Sequence, residues 1–172
     1  MSEPTIGKAL AEEAYEYATL HIACWNAAYK GIISDEYLQN MSVEQMGERT
    51  QQYLQSPGDV LYYCLEYEGT MIGRLILSRS RDEDKPDAAE IGAMYLLEAY
   101  WDKGLGRKMM EFSLEEFQRM GYSEVLLWVL ESNSRARRFY EKFDFAFDGT
   151  KKEMDIDKPH TVLRYVRPIR KE

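Results

Sequence analysis

Residues 89–112 read AEIGAMYLLEAYWDKGLGRKMMEF and change character twice along their length. The apolar run from 90 to 97 has the composition of a mostly buried strand. From 105 onward, apolar side chains instead recur at helical spacing, and this pattern continues until Gly121. Between the two runs stands DKGLG, residues 102–106, whose glycines permit backbone dihedrals that other residues avoid. The stretch therefore predicts a strand, a tight turn and a helix that packs on the sheet.

The next apolar run, SEVLLWVL at 123–130, is continuous, which is typical of a strand covered on both faces. A strand, a helix and a second strand in this order predict a right-handed parallel crossover. The strands at 90–97 and 123–130 are then neighbours in the sheet. Where two such strands diverge, a crevice opens that can hold a ligand.

The remaining segments predict antiparallel elements around this parallel unit. Segments 59–69 and 70–80 are rich in β-branched, aromatic and aliphatic residues and are joined by Glu68-Gly69, which predicts a hairpin. Helices are expected at 11–29, after the capping residues Ser34 and Ser42, and after Asn133. Further strands are expected at 5–10, 144–150 and 161–169. The fold class is therefore α+β, with a mixed sheet between two layers of helices.

Composition sets the broad class of the protein. With 172 residues, of which 45% are hydrophobic, the chain matches one domain, expected to span 1–172. The net charge of −8 argues against a nucleic-acid partner. No apolar run approaches the roughly 18 residues of a membrane span, and no signal pattern begins the chain, so we expect a cytoplasmic protein without a membrane partner. Cys24 and Cys64 lack metal-site spacing and are expected to be buried thiols, with no metal bound.

Two basic groups accompany the glycine turn. They are Lys103, Arg107 and Lys108 at the turn, and Arg135, Arg138 and Lys142 on one face of the following helix. Because N–H groups at a helix start attract anions, the two groups together predict a ligand with several phosphates. The spacing fits neither a Walker A loop nor a dinucleotide fingerprint. A bare turn and a solvated helix face beside Glu131 and Glu141 are the alternatives.

These residues resemble the GNAT superfamily of N-acetyltransferases, whose signature Q/R-x-x-G-x-G/A follows a central strand. The matching stretch here is 101–106, WDKGLG. NSRARRFYEKFDF at 133–145 and CWNAAYKGIISDEYL at 24–38 resemble further family segments. The resemblance implies a mixed, mostly antiparallel sheet of about seven strands, with a splayed parallel pair, flanked by about four helices.

The resemblance also implies acetyl-coenzyme A as cosubstrate. Its pyrophosphate is expected on the backbone N–H groups of 103–107, and its pantetheine arm along the strand at Met94–Leu96. Asn133 is expected to hold a coenzyme amide, and Tyr140 to lie beside the sulfur. The expected cofactor-binding residues are therefore Met94, Leu96, Lys103, Gly104, Leu105, Gly106, Arg107, Asn133 and Tyr140.

The implied reaction is direct attack of a primary amine on the thioester. A protonated amine cannot attack, so a base must take its proton, directly or through water, and Glu90 matches the catalytic glutamate of some family members. Tyr140 is the expected hydrogen-bond donor to the leaving thiolate, and a backbone N–H near Leu96 the expected oxyanion donor. The alternatives are that Glu90 is a surface residue ending a charged loop and that Tyr140 serves only in packing.

The acceptor is expected to be a small-molecule or peptide amine, and its identity stays open. Aromatic rings suit a cationic amine, so Trp25 and Tyr29 are the expected pocket residues, with Tyr62, Tyr63 and His160 as further candidates. The departures from the family pattern are Trp101 where Gln or Arg is usual, and Asp102 and Asp144 where glycine is frequent. They leave open a non-catalytic acyl-coenzyme A sensor or interaction module with the same cleft. Exposed edge strands could pair two chains into a homodimer.

Overall fold

The computed structural model describes residues 2–170, so the predicted domain limits at 1 and 172 lie outside the described residues. Within the described residues, seven strands form one sheet in the order β1-β2-β3-β4-β5-β7-β6. The strands are β1 (Thr5–Lys8), β2 (Leu61–Tyr67), β3 (Thr70–Arg79), β4 (Ala89–Leu96), β5 (Glu124–Leu130), β6 (Ala146–Asp155) and β7 (Pro159–Pro168). The helices are α1 (Ala14–Ala28), α2 (Asp35–Gln39), α3 (Val43–Gln55), α4 (Leu105–Arg119) and α5 (Ser134–Lys142).

The predicted parallel pair is confirmed, and its two strands separate early. β4 and β5 pair in parallel at Ala89 with Val125 and at Glu90 with Leu126, while every other neighbouring pair in the sheet is antiparallel. Beyond Glu90, β4 continues along β3 as far as Leu96 without a partner on β5. The sheet is therefore open between these two strands at their carboxyl ends.

Two helical layers cover the sheet, as predicted. Met109, Met110 and Phe117 of α4 lie in one core with Val125 and Leu127, which alternate along β5 toward the same face. Each of the three α4 side chains is at most 1% exposed, and burial of each stabilises the fold by about 1.5–3 kcal/mol. On the opposite face, a second core contains Tyr17, Leu20 and Cys24 of α1 packed on Cys64 and Met71.

The structure can be compared with the sequence prediction at three further points: the hairpin turn, the number of helices and the end of β6. The hairpin turn at Glu68-Gly69 is confirmed, since both residues have positive φ and Tyr67 pairs with Thr70, as a two-residue type I′ turn requires. Residues 2–170 contain five α-helices where about four were expected, because Ser34 and Ser42 each cap a separate helix. β6 runs five residues beyond the predicted end at 150, because its charged residues lie on an exposed edge strand without apolar alternation.

Both cysteines are buried and free, as predicted. Burial raises the pKa of each thiol to about 12, which keeps both protonated near neutral pH. In the described part of the chain, no helix combines the length and the apolar character that crossing a bilayer requires.

Candidate functional site

A cleft of about 390 Å³ opens where β4 and β5 separate. Its walls come from β4, β5, the glycine turn, α4, α5 and the end of α1. The volume lies in the range of small-molecule sites, and the position matches the crevice predicted from the strand order. Most of the predicted cofactor residues line it: Met94, Leu96, Gly104, Gly106, Arg107, Asn133 and Tyr140.

The glycine turn forms one end of the cleft. Gly104 has φ of +80°, in the left-handed region, and directly precedes the first residue of the fifteen-residue helix α4. The first N–H groups of that helix have no intrahelical partners, and the positive end of the helix dipole adds to their attraction for an anion. Glycine is favoured at position 106 for a different reason. A Cβ there would lie only 3.0 Å from Phe139 Cε2 of α5. One glycine shapes the turn and the other lets α5 approach α4.

Basic side chains dominate this end of the cleft. The lining contains four of them, Arg107, Arg135, Arg138 and Lys142. Asp102 is the only carboxylate side chain among the described residues that line the cleft. Lys103 and Leu105, although predicted to bind the cofactor, have no side chain in the lining, and the Lys103 ammonium lies 5.8 Å from the Tyr100 ring instead. Their backbone N–H groups belong to the turn all the same.

The open edge of β4 offers backbone groups to a ligand. The Leu97 N–H donates to Ile72 O of β3, and successive residues in a strand direct their N–H groups to opposite sides. The N–H groups of Met94 and Leu96 therefore point away from β3, toward the cleft. The Leu96 carbonyl accepts a hydrogen bond of 2.8 Å from Trp101 Nε1.

Tyrosines form the other end of the cleft. Tyr29 Oη and Tyr95 Oη lie 2.8 Å apart and share a hydrogen bond. Burial raises the pKa of Tyr29, Tyr95 and Tyr140 above the usual value, and the charge that Tyr95 would carry raises that of Tyr140 further. All three phenols are therefore hydrogen-bond donors at neutral pH. Cys24 and Ala28 of α1 complete this end.

The family model of the acetyltransferase (GNAT) family matches residues 25–145, which include the glycine turn, α5 and the end of α1. The chain belongs to the GNAT family. It is 30% identical over 156 residues to a Mycobacterium tuberculosis protein described as a probable N-acetyltransferase, with 87% of this chain and 86% of that protein covered. It is also 30% identical to the spermine/spermidine N(1)-acetyltransferase of Bacillus subtilis, over 64% of this chain and 75% of that protein.

Solved structures of GNAT proteins share the fold. The PaiA N-acetyltransferase of Thermoplasma acidophilum, solved with coenzyme A, superposes with a TM-score of 0.73 at 23% identity, covering 95% of this chain and 98% of that one. The Salmonella typhimurium protein yncA, solved with acetyl-CoA, gives a TM-score of 0.71 at 14% identity, covering 99% and 96%. Membership of the GNAT family assigns acyl transfer to this chain.

The departures from the GNAT signature are accommodated by local contacts. The Arg135 guanidinium lies 4.2 Å from the Trp101 ring and pairs with Asp102 at 3.2 Å, so one side chain of α5 contacts both unusual residues. Asp102 and Asp144, which replace frequent glycines, have φ of 59° and 65°. Aspartate tolerates this left-handed conformation better than most residues. The turns therefore keep the shape that glycine would give them.

Glu90, the predicted base, is not among the residues that line the cleft, and its role as the base stays a prediction. Its side chain is 2% exposed and accepts hydrogen bonds from Arg81 N at 3.1 Å and Arg81 Nη2 at 2.7 Å. The charged loop that ends at β4 folds back on the start of the strand and engages the carboxylate. Glu90 thus fastens this loop to the sheet, a contact that spacing along the chain could not reveal.

Some of the residues predicted to bind the acceptor line the cleft, and others lie outside it. Tyr29 lines the cleft, whereas Trp25 packs behind it with its ring 4.8 Å from that of Tyr29. Tyr63 is in the core against Phe112, and His160 is bonded to Asp157 within the β6–β7 hairpin rather than in an open loop. Tyr95 and Trp128 line the cleft although the sequence pattern did not mark them. The one available signal was that each is the single aromatic residue of a mostly apolar strand.

Asn133 both caps α5 and lines the cleft. Its Oδ1 accepts a hydrogen bond of 3.2 Å from Ala136 N. The side-chain amide group remains a donor, so the cap and a ligand contact are compatible.

Proposed function

We propose that this GNAT protein transfers an acetyl group from acetyl-coenzyme A to a primary amine by direct attack on the thioester. The observation that carries the proposal is the cleft itself, which joins a helix start rimmed by four basic side chains to a cluster of phenols across an open strand edge. A long ligand with phosphates at one end and a reactive group at the other fits these three parts in order.

In this proposal the coenzyme pyrophosphate binds the N–H groups of 103–107 and the basic side chains around them. The pantetheine amides bond to the free edge of β4, where the Met94 and Leu96 N–H groups point into the cleft. Asn133 contributes its side-chain amide from the start of α5. The thioester then reaches the phenol end, near Tyr140.

The chemistry needs a donor for the thiolate and one for the oxyanion. Tyr140 donates to the departing sulfur, because its raised pKa keeps the phenol protonated. A β4 backbone N–H near Leu96, one that points into the cleft and is not bonded to the pantetheine, stabilises the oxyanion of the tetrahedral intermediate. Glu90 is engaged by Arg81, so we propose that the amine loses its proton to water at the open side of the cleft before it attacks.

An amine acceptor is supported by the aromatic wall, the net charge of −8 and the spermine/spermidine acetyltransferase relative. Negative charge draws a cation toward the protein, and aromatic faces hold it. The competing proposal is an acyl-coenzyme A sensor without transfer activity, which the ion pair at Asp102 favours because it occupies the phosphate end of the cleft.

Calorimetry of acetyl-coenzyme A, followed by a thiol-release assay with a panel of amines, tests the proposal. Gly104→Glu puts a carboxylate at the helix start and should abolish binding. Gly58→Glu is the matched control, since Gly58 also has positive φ and open space around it but lies far along the chain from the cleft residues. Binding with amine-dependent thiol release supports transfer, binding without release supports the sensor, and no binding to the wild type overturns both.

A further inference from the structure

Trp128 occupies a position at the cleft that the proposed reaction leaves unused. Its neighbours Leu127 and Val129 point into the core beneath α4, so the Trp128 side chain points to the opposite face of β5. That is the face on which Tyr17 and Cys24 of α1 pack. The indole is partly exposed, and the residue lines the cleft.

An ammonium group of the protein already lies on this ring. Lys152 Nζ, from edge strand β6, is 4.0 Å from the Trp128 ring centroid, well within the distance of a cation–π contact. The adjacent Lys151 behaves differently, because it pairs with Glu131 at 3.2 Å. Lys152 is an exposed residue, so the contact can be broken without disturbing the core.

The surroundings of the indole favour a cation. Trp128 Nε1 donates to Asp82 Oδ2 at 3.1 Å, which fixes the ring and increases its electron density. The buried Arg164 guanidinium is 5.7 Å from the ring centroid, but Asp82, Asp84 and Asp148 all bond to it. Three carboxylates around one guanidinium leave negative charge beside the ring, with Asp84 partly open to solvent.

We infer that the face of the Trp128 ring is a binding site for a second ammonium group of the acceptor, and that Lys152 occupies this site in the free protein. The inference rests on the proposed transfer to an amine and narrows the acceptor to diamines and polyamines. One amine attacks the thioester while the distal ammonium displaces Lys152 from the ring. Trp128 and Lys152 thus determine specificity without taking part in the chemistry.

The test compares 1,4-diaminobutane with n-butylamine, which has the same carbon chain but one amine. Lys152→Met frees the ring and should lower KM for the diamine about threefold to tenfold, with kcat and the n-butylamine KM unchanged. Lys151→Met is the matched control, since it removes the same charge from the next residue of the strand. A shift of the same size in this control would attribute the effect to net charge and overturn the inference.

Trp128 is tested with two variants. Trp128→Leu should raise KM for the diamine about tenfold and remove the benefit of Lys152→Met when the two are combined. Trp128→Phe keeps an aromatic face without the N–H donor, so it should retain part of the discrimination even if the leucine variant folds poorly. Equal diamine KM values in the wild type and both Trp128 variants would overturn the inference.

A binding measurement separates this inference from the proposed function. Calorimetry of 1,4-diaminobutane against the protein with coenzyme A bound does not depend on turnover. Tighter binding of 1,4-diaminobutane to Lys152→Met than to the wild type and Lys151→Met supports the ammonium site on Trp128 even if no acetyl transfer occurs. Transfer to both amines without a preference for the diamine supports the proposed function and overturns the inference of an ammonium site on Trp128.

Discussion

Arg135 Nη2 lies 3.2 Å from Asp102 Oδ1, so α5 and the glycine turn are joined by an ion pair across one end of the cleft. The same guanidinium lies over Trp101. Asp102 and Trp101 are the two residues that depart from the GNAT signature at this turn. Arg135 thus neutralises the Asp102 carboxylate at the site proposed for the coenzyme pyrophosphate. The ion pair also keeps the Arg135 guanidinium next to that site.

Asp102→Asn should tighten acetyl-coenzyme A binding about threefold to tenfold, because it removes repulsion of the pyrophosphate and releases Arg135 to contact it. Calorimetry at low and high salt checks this, and the gain should shrink as salt screens the charges. Asp59→Asn, an exposed change outside the cleft lining, is the control. Weaker binding by the asparagine variant would show that the ion pair supports the site.

Gly106→Ala should displace Phe139, whose Cε2 and Cζ would lie 3.0 and 3.2 Å from the new methyl group. Overpacking of this kind costs about 1–3 kcal/mol of stability, and the shift of α5 should weaken coenzyme binding as well. Denaturant unfolding and calorimetry measure the two effects. Adding Phe139→Leu should recover much of both, whereas Gly7→Ala, with open space around it, should change neither.

Glu90→Gln should leave kcat within about twofold of the wild type and lower the free energy of unfolding by about 1 kcal/mol, because it weakens a charge-assisted hydrogen bond to a largely exposed arginine. Arg81→Met should have a similar effect on stability. The pH dependence of kcat/KM should follow ionisation of the acceptor amine in both variants. A hundredfold drop in kcat at unchanged stability would instead assign Glu90 as the base.

Tyr140→Phe should lower kcat about tenfold to a hundredfold with little change in coenzyme affinity, since a hydrogen bond to a charged group contributes about 1.5–3 kcal/mol. The pKa of Tyr140 is raised by burial, so the donating phenol is present throughout the neutral range and is lost only above its ordinary value. In the wild type, kcat should therefore show no loss from Tyr140 ionisation below about pH 10. Tyr53→Phe, at an exposed tyrosine, is the control.

Local sequence determined the elements that lie close together in the chain. The apolar runs, the glycines at 104 and 106 and the serine and asparagine caps correctly predicted the parallel crossover, the turn and the helix starts. This succeeded because backbone dihedrals, capping and hydrophobic periodicity act over a few residues. Strand order also predicted where the crevice opens, and Met94, Leu96, Gly104, Asn133 and Tyr140, which the resemblance to the GNAT family indicated as cofactor-binding residues, all line it.

Tertiary structure decided which partner each charged or aromatic side chain meets. Glu90 is held by Arg81, Asp102 by Arg135, and the Trp128 ring by an ammonium from β6, two strands away in the sheet. The last two contacts join residues more than 20 positions apart, and a long side chain can reach several neighbours from one backbone position. Periodicity predicts the face on which such a residue lies, but the packing of loops and neighbouring strands selects its partner and thereby its role.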